Sequence, residues 1–89
     1  MVYWGPVDLT NATKLTIEGD FRGKNSAVPT DYMLAVWKSI GSQINNFEAR
    51  KQLTDTGAEL DVSSLTGQCY VGFTVRNTGY EIVRNLYVE

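Results

Sequence analysis

Apolar and polar residues alternate with a period of two along much of the chain, which is the spacing of a strand that buries one face. From Lys14 to Phe21, Leu15, Ile17 and Phe21 share one side, with charged and hydroxyl residues on the other. From Cys69 to Arg76, Val71, Phe73 and Val75 share a face, and Tyr70, Gly72, Thr74 and Arg76 share the opposite one. Tyr80 to Glu89 alternates again, Ile82, Leu86 and Val88 against Val83, Asn85 and Tyr87. The turn-forming Asn77-Thr78-Gly79 between these last two segments predicts that they form a hairpin. Phe47 to Leu53 predicts a shorter strand, bounded by Asn45-Asn46 and Thr54-Asp55-Thr56-Gly57, and Glu59 to Val62 predicts another.

The stretch from Asp31 to Phe47 carries two patterns. Met33, Trp37, Ile40, Ile44 and Phe47 fall at helical spacing behind a candidate N-cap at Thr30 or Asp31. Against this, Tyr32 to Trp37 is a short apolar run of β-favouring residues, and Ser39, Gly41, Ser42, Asn45 and Asn46 weaken a helix through its centre. A strand is the favoured reading, and the alternative is an α+β fold with a helix over residues 31–47. Six or seven short strands, spaced by roughly ten residues and punctuated by Gly, Pro, Asn and Asp, predict an all-β antiparallel β-sandwich or jelly roll with little or no helix. Its expected core is Leu15, Ile17, Phe21, Leu34, Val36, Leu65, Val71, Phe73, Val75, Leu86 and Val88.

One short motif occurs twice. Val7-Asp8-Leu9-Thr10 and Leu60-Asp61-Val62-Ser63 both run apolar, Asp, apolar, hydroxyl, and both lead through a turn into a strand. The carboxylate is placed to accept hydrogen bonds from backbone N–H groups of a tight turn, while Leu9, Leu65 or their neighbours pin that turn to the core. Too few oxygens cluster there for a calcium site, so no metal is expected.

Composition narrows the chemistry. The 89 residues suffice for a single domain spanning 1–89, and 43% hydrophobic content lets it build a core without a metal or disulfide. A net charge of −2 offers no basic surplus for nucleic acid, and no apolar run approaches the ~20 residues of a membrane-spanning helix. The start of the chain lacks the basic and apolar regions of a signal peptide. There is no histidine and one cysteine, which removes imidazole general bases, Ser-His-Asp and Cys-His systems, His-ligated zinc and any internal disulfide. Cys69 lacks a basic neighbour in sequence and reads as an inert small residue in a strand. No catalytic residue and no cofactor is expected.

Four segments carry a family resemblance: Val7 to Ile17, Leu34 to Ser39, Leu60 to Phe73 and Asn85 to Glu89. Together they resemble the small β-sandwich modules of phage and prophage tail, baseplate and tail-fibre proteins. Leu60-Asp61-Val62-Ser63-Ser64-Leu65-Thr66-Gly67 with Tyr70-Val71-Gly72-Phe73 is the most specific part. The resemblance implies a fold similar to carbohydrate-binding modules and a chain that is the C-terminal piece of a longer protein. It further implies a place in the virion or, before assembly, in the bacterial cytoplasm. Expected partners are other tail or baseplate subunits, with homo-oligomers formed through the parent chain, or a bacterial surface glycan; nucleic acid and membrane insertion are not expected. A glycan would stack on exposed aromatic rings. Trp37 is the leading candidate, because alternation turns it outward when Leu34 and Val36 face in. Trp4 and Tyr3, expected to cover one end of the sandwich, and Tyr80, expected at a loop tip, complete the set.

Overall fold

The computed structural model describes residues 1–23, 28, 30–40, 46–75 and 79–89. Among the described residues seven strands follow one another: β1 (Val2–Asp8), β2 (Lys14–Arg22), β3 (Met33–Trp37), β4 (Phe47–Gln52), β5 (Gly57–Asp61), β6 (Gln68–Phe73) and β7 (Tyr80–Val88). They make two antiparallel sheets, ordered β1-β6-β3-β4 and β5-β2-β7, that enclose one apolar layer. The fold is the all-β sandwich that the alternation predicts. The helical alternative over 31–47 is not formed, since β3 and β4 occupy the two ends of that stretch; residues 41–45 lie outside the described residues.

Leu15, Ile17 and Phe21 of β2 meet Leu34 and Val36 of β3 and Cys69, Val71 and Phe73 of β6. Phe21 and Phe73 touch edge to face, with ring centroids 5.5 Å apart, which joins the two sheets at their centre. Leu65, Val75, Leu86 and Val88 pack against this core half-buried, and Leu9, Tyr32, Leu53 and Val62 enter it from the connections. Each fully buried large side chain contributes roughly 1.5–3 kcal/mol relative to exposure.

The two Asp turns fold alike. Asp8 Oδ1 accepts from the Thr10 N–H at 2.9 Å and the Thr10 hydroxyl at 2.6 Å, and Asp61 Oδ1 accepts from the Ser63 N–H at 2.8 Å and its hydroxyl at 2.6 Å. Leu9 and Val62, both fully buried, anchor them, and Leu65 packs half-buried against the same core. The first turn carries the chain from the four-stranded sheet to the three-stranded one, and the second carries it back. The Leu9 N–H donates to Gly67 O and the Val62 N–H donates to Thr13 O, each at 3.0 Å. With β1 on β6 and β2 on β5, each arch bonds to the other.

Three local expectations are corrected. β6 and β7 form no hairpin: β6 pairs with β1 and β3, β7 pairs with β2, and the connection between them crosses from one sheet to the other. Their apolar faces meet across the core instead of lying side by side, and period-two alternation is the same in both arrangements. Within β7, Asn85 stands opposite Glu18 and Val83 opposite Gly19, so Arg84 is the extra residue of a β-bulge. Val83 therefore turns inward with Leu86 and Val88, and Ile82 turns outward. Gly19 permits this close approach, because a Cβ there would lie 1.9 Å from the Ile82 carbonyl oxygen. Finally, Tyr3 and Trp4 do not cap the sandwich but belong to β1. Gly5 has φ +140° where the β1–β6 register shifts, and Pro6 is tolerated because β1 is an edge strand.

Candidate functional site

Trp37 is the clearest correction among the expected aromatics: it is 0% exposed. Alternation holds in β3, but the outer face of its sheet is itself covered there. The Trp37 ring lies 5.7 Å from that of Phe47, its partner across the ladder, and the Arg50 guanidinium sits 5.2 Å over Phe47. On the other side Trp37 pairs in register with Tyr70, whose ring packs edge-on against Tyr3 at 5.8 Å. Tyr3, 44% exposed, is thus the open end of an aromatic row across the outer face of the four-stranded sheet. Beside the row lies a hollow of about 290 Å³, lined by Thr30, Asp31, Phe47, Arg50 and Thr74 among others.

Trp4 points the other way. Its partner on β6 is Val71, an inward position, and its ring centroid is 6.1 Å from that of Phe73. It remains 40% exposed because the sandwich is open on this side. The opposite side is closed by the turn from β4 to β5, where Thr54 and Gly57 exchange backbone bonds at 2.9 and 3.3 Å. At the open side an apolar cleft of about 390 Å³ runs between β1 and β7, walled by Trp4, Val7, Val71, Val83, Leu86, Tyr87 and Val88. Tyr80 is in neither place. It opens β7 rather than a loop tip, on the outer face of the three-stranded sheet, with Arg22 5.7 Å above its ring. The four expected residues therefore belong to three separate surfaces.

Charge on the surface is locally paired. Arg84 Nη2 donates to Asp20 Oδ2 at 2.6 Å, which holds the Asp20 carboxyl below the usual carboxylate range and raises the Arg84 guanidinium above its ordinary value. Asp8 and Asp61 are likewise lowered, first by the side-chain hydroxyls of Thr10 and Ser63 and then by the backbone N–H groups of the same residues. Lys14 lies 3.7 Å from Glu59 and 3.8 Å from Glu89. Arg22 and Arg84 are exposed but engaged, by the Tyr80 ring and by Asp20; Lys24 and Arg76 lie outside the described residues. Cys69 is buried, and among the described residues no three His, Cys, Asp or Glu side chains come together as metal ligands. Among the described residues no helix is long and apolar enough to cross a membrane.

Phe47, Arg50 and Tyr70 of the outer row, and Val83 and Tyr87 of the cleft, were not anticipated as surface-site residues. The alternation of β7 carried a partial signal for Tyr87, which the bulge obscured for Val83. No family model, curated protein or solved structure matches the chain.

Proposed function

We propose that this chain is a non-catalytic structural module of a phage or prophage tail or baseplate protein, holding its neighbours through the open side of the sandwich. The observation that carries this reading is the cleft between β1 and β7. Its walls are almost wholly apolar, with exposed Trp4 and Tyr87 at the rim, which suits the buried centre of a protein contact better than a sugar that needs convergent hydrogen bonds. The resemblance centred on Leu60 to Phe73 supports the phage assignment. Sequencing the flanks of the gene tests it. Tape-measure, portal or lysin genes are the expected neighbours, and a gene set unrelated to virion assembly overturns it.

The alternative, a carbohydrate-binding module for bacterial surface glycans, is favoured by the hollow beside Phe47. There Asp31, Arg50, Thr30 and Thr74 offer polar groups next to an aromatic face. Titration of host-envelope polysaccharide against the labelled domain separates the two readings. Unmoved amides are expected of the structural module, and shifts clustered on Phe47, Arg50 and Thr74 establish the glycan site.

A further inference from the structure

The sheet edges differ in how well they are protected against pairing. β1 carries Pro6 and a kink; β4 carries Glu48, Arg50 and Lys51; β5 is five residues long, with Glu59 and Asp61. β7 has nine residues and no proline, and beside Glu81 and Arg84 it carries five large apolar side chains beyond Tyr80: Ile82, Val83, Leu86, Tyr87 and Val88. Among the described residues it pairs with β2 alone.

We propose that two copies of this chain join antiparallel through β7, about a dyad between Arg84 and Asn85, so that two three-stranded sheets become one of six strands. This deepens the structural-module reading, on which it rests, by naming the neighbour as a second copy.

The backbone defines which groups are available. Lys14 and Glu89 exchange both of their bonds, at 3.2 and 2.9 Å, so by alternation Tyr87 and Asn85 also face β2 while Leu86 and Val88 direct their N–H and C=O groups outward. Beyond the bulge, the Gly19 and Phe21 N–H groups bond Thr56 and Asp55 at 3.0 Å, on the side of β5. Their partners on β7, Val83 and Glu81, therefore also face the open edge. The free set is Glu81, Val83, Leu86 and Val88. The extra residue of the bulge then selects the register. When Val83 of one copy meets Leu86 of the other, the two bulges lie opposite each other at the axis and the ladder stays in step. Any other offset sets one bulge against regular strand.

In this register the side chains match. Ile82 and Tyr87, 50% and 40% exposed, cover each other twice on the outer face, and Val83 meets Leu86 twice on the cleft side. Glu89 comes opposite Tyr80, beneath the Arg22 guanidinium, so negative meets positive at each end of the seam. At the centre Arg84 comes beside Asn85 of the second copy, whose side-chain amide bonds Glu18 at 3.3 Å, so a cation again approaches a carboxylate. An acidic chain thereby meets itself without like charges opposed in register.

Cross-linking tests the register directly. Ile82 and Tyr87 of the two copies form a non-hydrogen-bonded pair, the closer class, with Cβ atoms about 4.5–5.5 Å apart. Under mild oxidation I82C/Y87C is expected to give a covalent dimer, as is an equimolar mixture of I82C and Y87C, whereas neither single variant alone does so. Buried Cys69 stays silent. Sedimentation of the unmodified chain over a concentration series is expected to rise from 9.9 kDa toward twice that mass. I82K/Y87K abolishes the rise, and mixing it with I82E/Y87E restores it. A constant monomer mass, efficient dimers from either single cysteine, or association indifferent to the lysine pair each overturns the proposal. A constant monomer mass leaves the gene-neighbourhood test of the structural reading intact, so the two failures are distinguishable.

Discussion

Phe73 and Trp37, on neighbouring strands of one sheet, show how differently two aromatic residues report on its two faces. Phe73 faces Phe21 inside the core, and Trp37 lies on the outer face, yet both are almost wholly buried. Truncation of either to Ala is expected to cost roughly 3–5 kcal/mol, while Tyr3→Ala, at the open end of the outer row, should cost much less. Urea midpoints of the three variants check this, and a Trp37→Ala midpoint near the parent's would return Trp37 to the surface. Thr16 gives the opposite sign. Its hydroxyl is buried with no partner among the described residues, so Thr16→Val is expected to stabilise by about 1 kcal/mol, read on the same urea axis. Three surface carboxylates, two in the Asp turns and one on β2, give a pH dependence. Asp8, Asp20 and Asp61 have folded pKa values lowered below the unfolded one, so their contribution is present above the unfolded pKa and lost as pH falls through the folded value. Asp8→Asn and Asp61→Asn should therefore lower the urea midpoint at about pH 7 and shrink its fall toward about pH 2. An unchanged fall in both variants assigns the acid sensitivity to other groups. The legibility of these residues follows their chemistry. Hydrogen bonds within an Asp-x-Thr or Asp-x-Ser turn are local, so the sequence displays them. The burial of Trp37 depends on Phe47 and Arg50 of the next strand, and alternation within β3 holds no information about that.

Elements were legible where burial is one-sided and the strand unbroken. β2 and β6 announce themselves through Leu15, Ile17, Val71 and Phe73, whereas β1 is hidden because Gly5-Pro6 spells a turn and only an edge strand can absorb it. The alternation of β7 reads as a strand but places half of it on the wrong face, since one extra residue inverts a period of two. This inversion supplies its own test. Arg84→Ala removes an exposed ion pair with Asp20 and is expected to leave the urea midpoint close to the parent's. Deletion of Arg84 removes the bulge but keeps Asn85 opposite Glu18 and Val83 opposite Gly19, so Val83 stays inward, Ile82 stays outward and the urea midpoint should stay near that of Arg84→Ala. A deletion midpoint far below that of Arg84→Ala would show that Arg84 is not the extra residue that sets the faces of β7.

At the scale of the whole molecule, the strand that holds the sandwich together is β2, flanked by β5 on one side and by the distant β7 on the other. The β2–β7 ladder joins segments far apart in sequence, Glu18 to Asn85 for example, and such pairings place folding in the slow, millisecond-to-second range of β-sandwiches. β7 also walls the cleft, and the Glu89 carbonyl accepts the Thr13 and Lys14 N–H groups at 2.6 and 3.2 Å, tying down the arch that leads into β2. Removing Tyr80 to Glu89 therefore turns β2 into an edge, uncovers Leu15 and Ile17 and frees the arch, a combined loss that exceeds the few kcal/mol of net stability a domain of this size holds. Removing Met1 to Trp4 takes away only part of an edge ladder and three exposed side chains. The first truncation is expected to abolish the cooperative urea transition and collapse the amide spectrum of the domain. The second should leave a dispersed spectrum with a lower midpoint. A folded chain without β7, or an unfolded one without residues 1–4, would move the keystone from β2 to the other sheet.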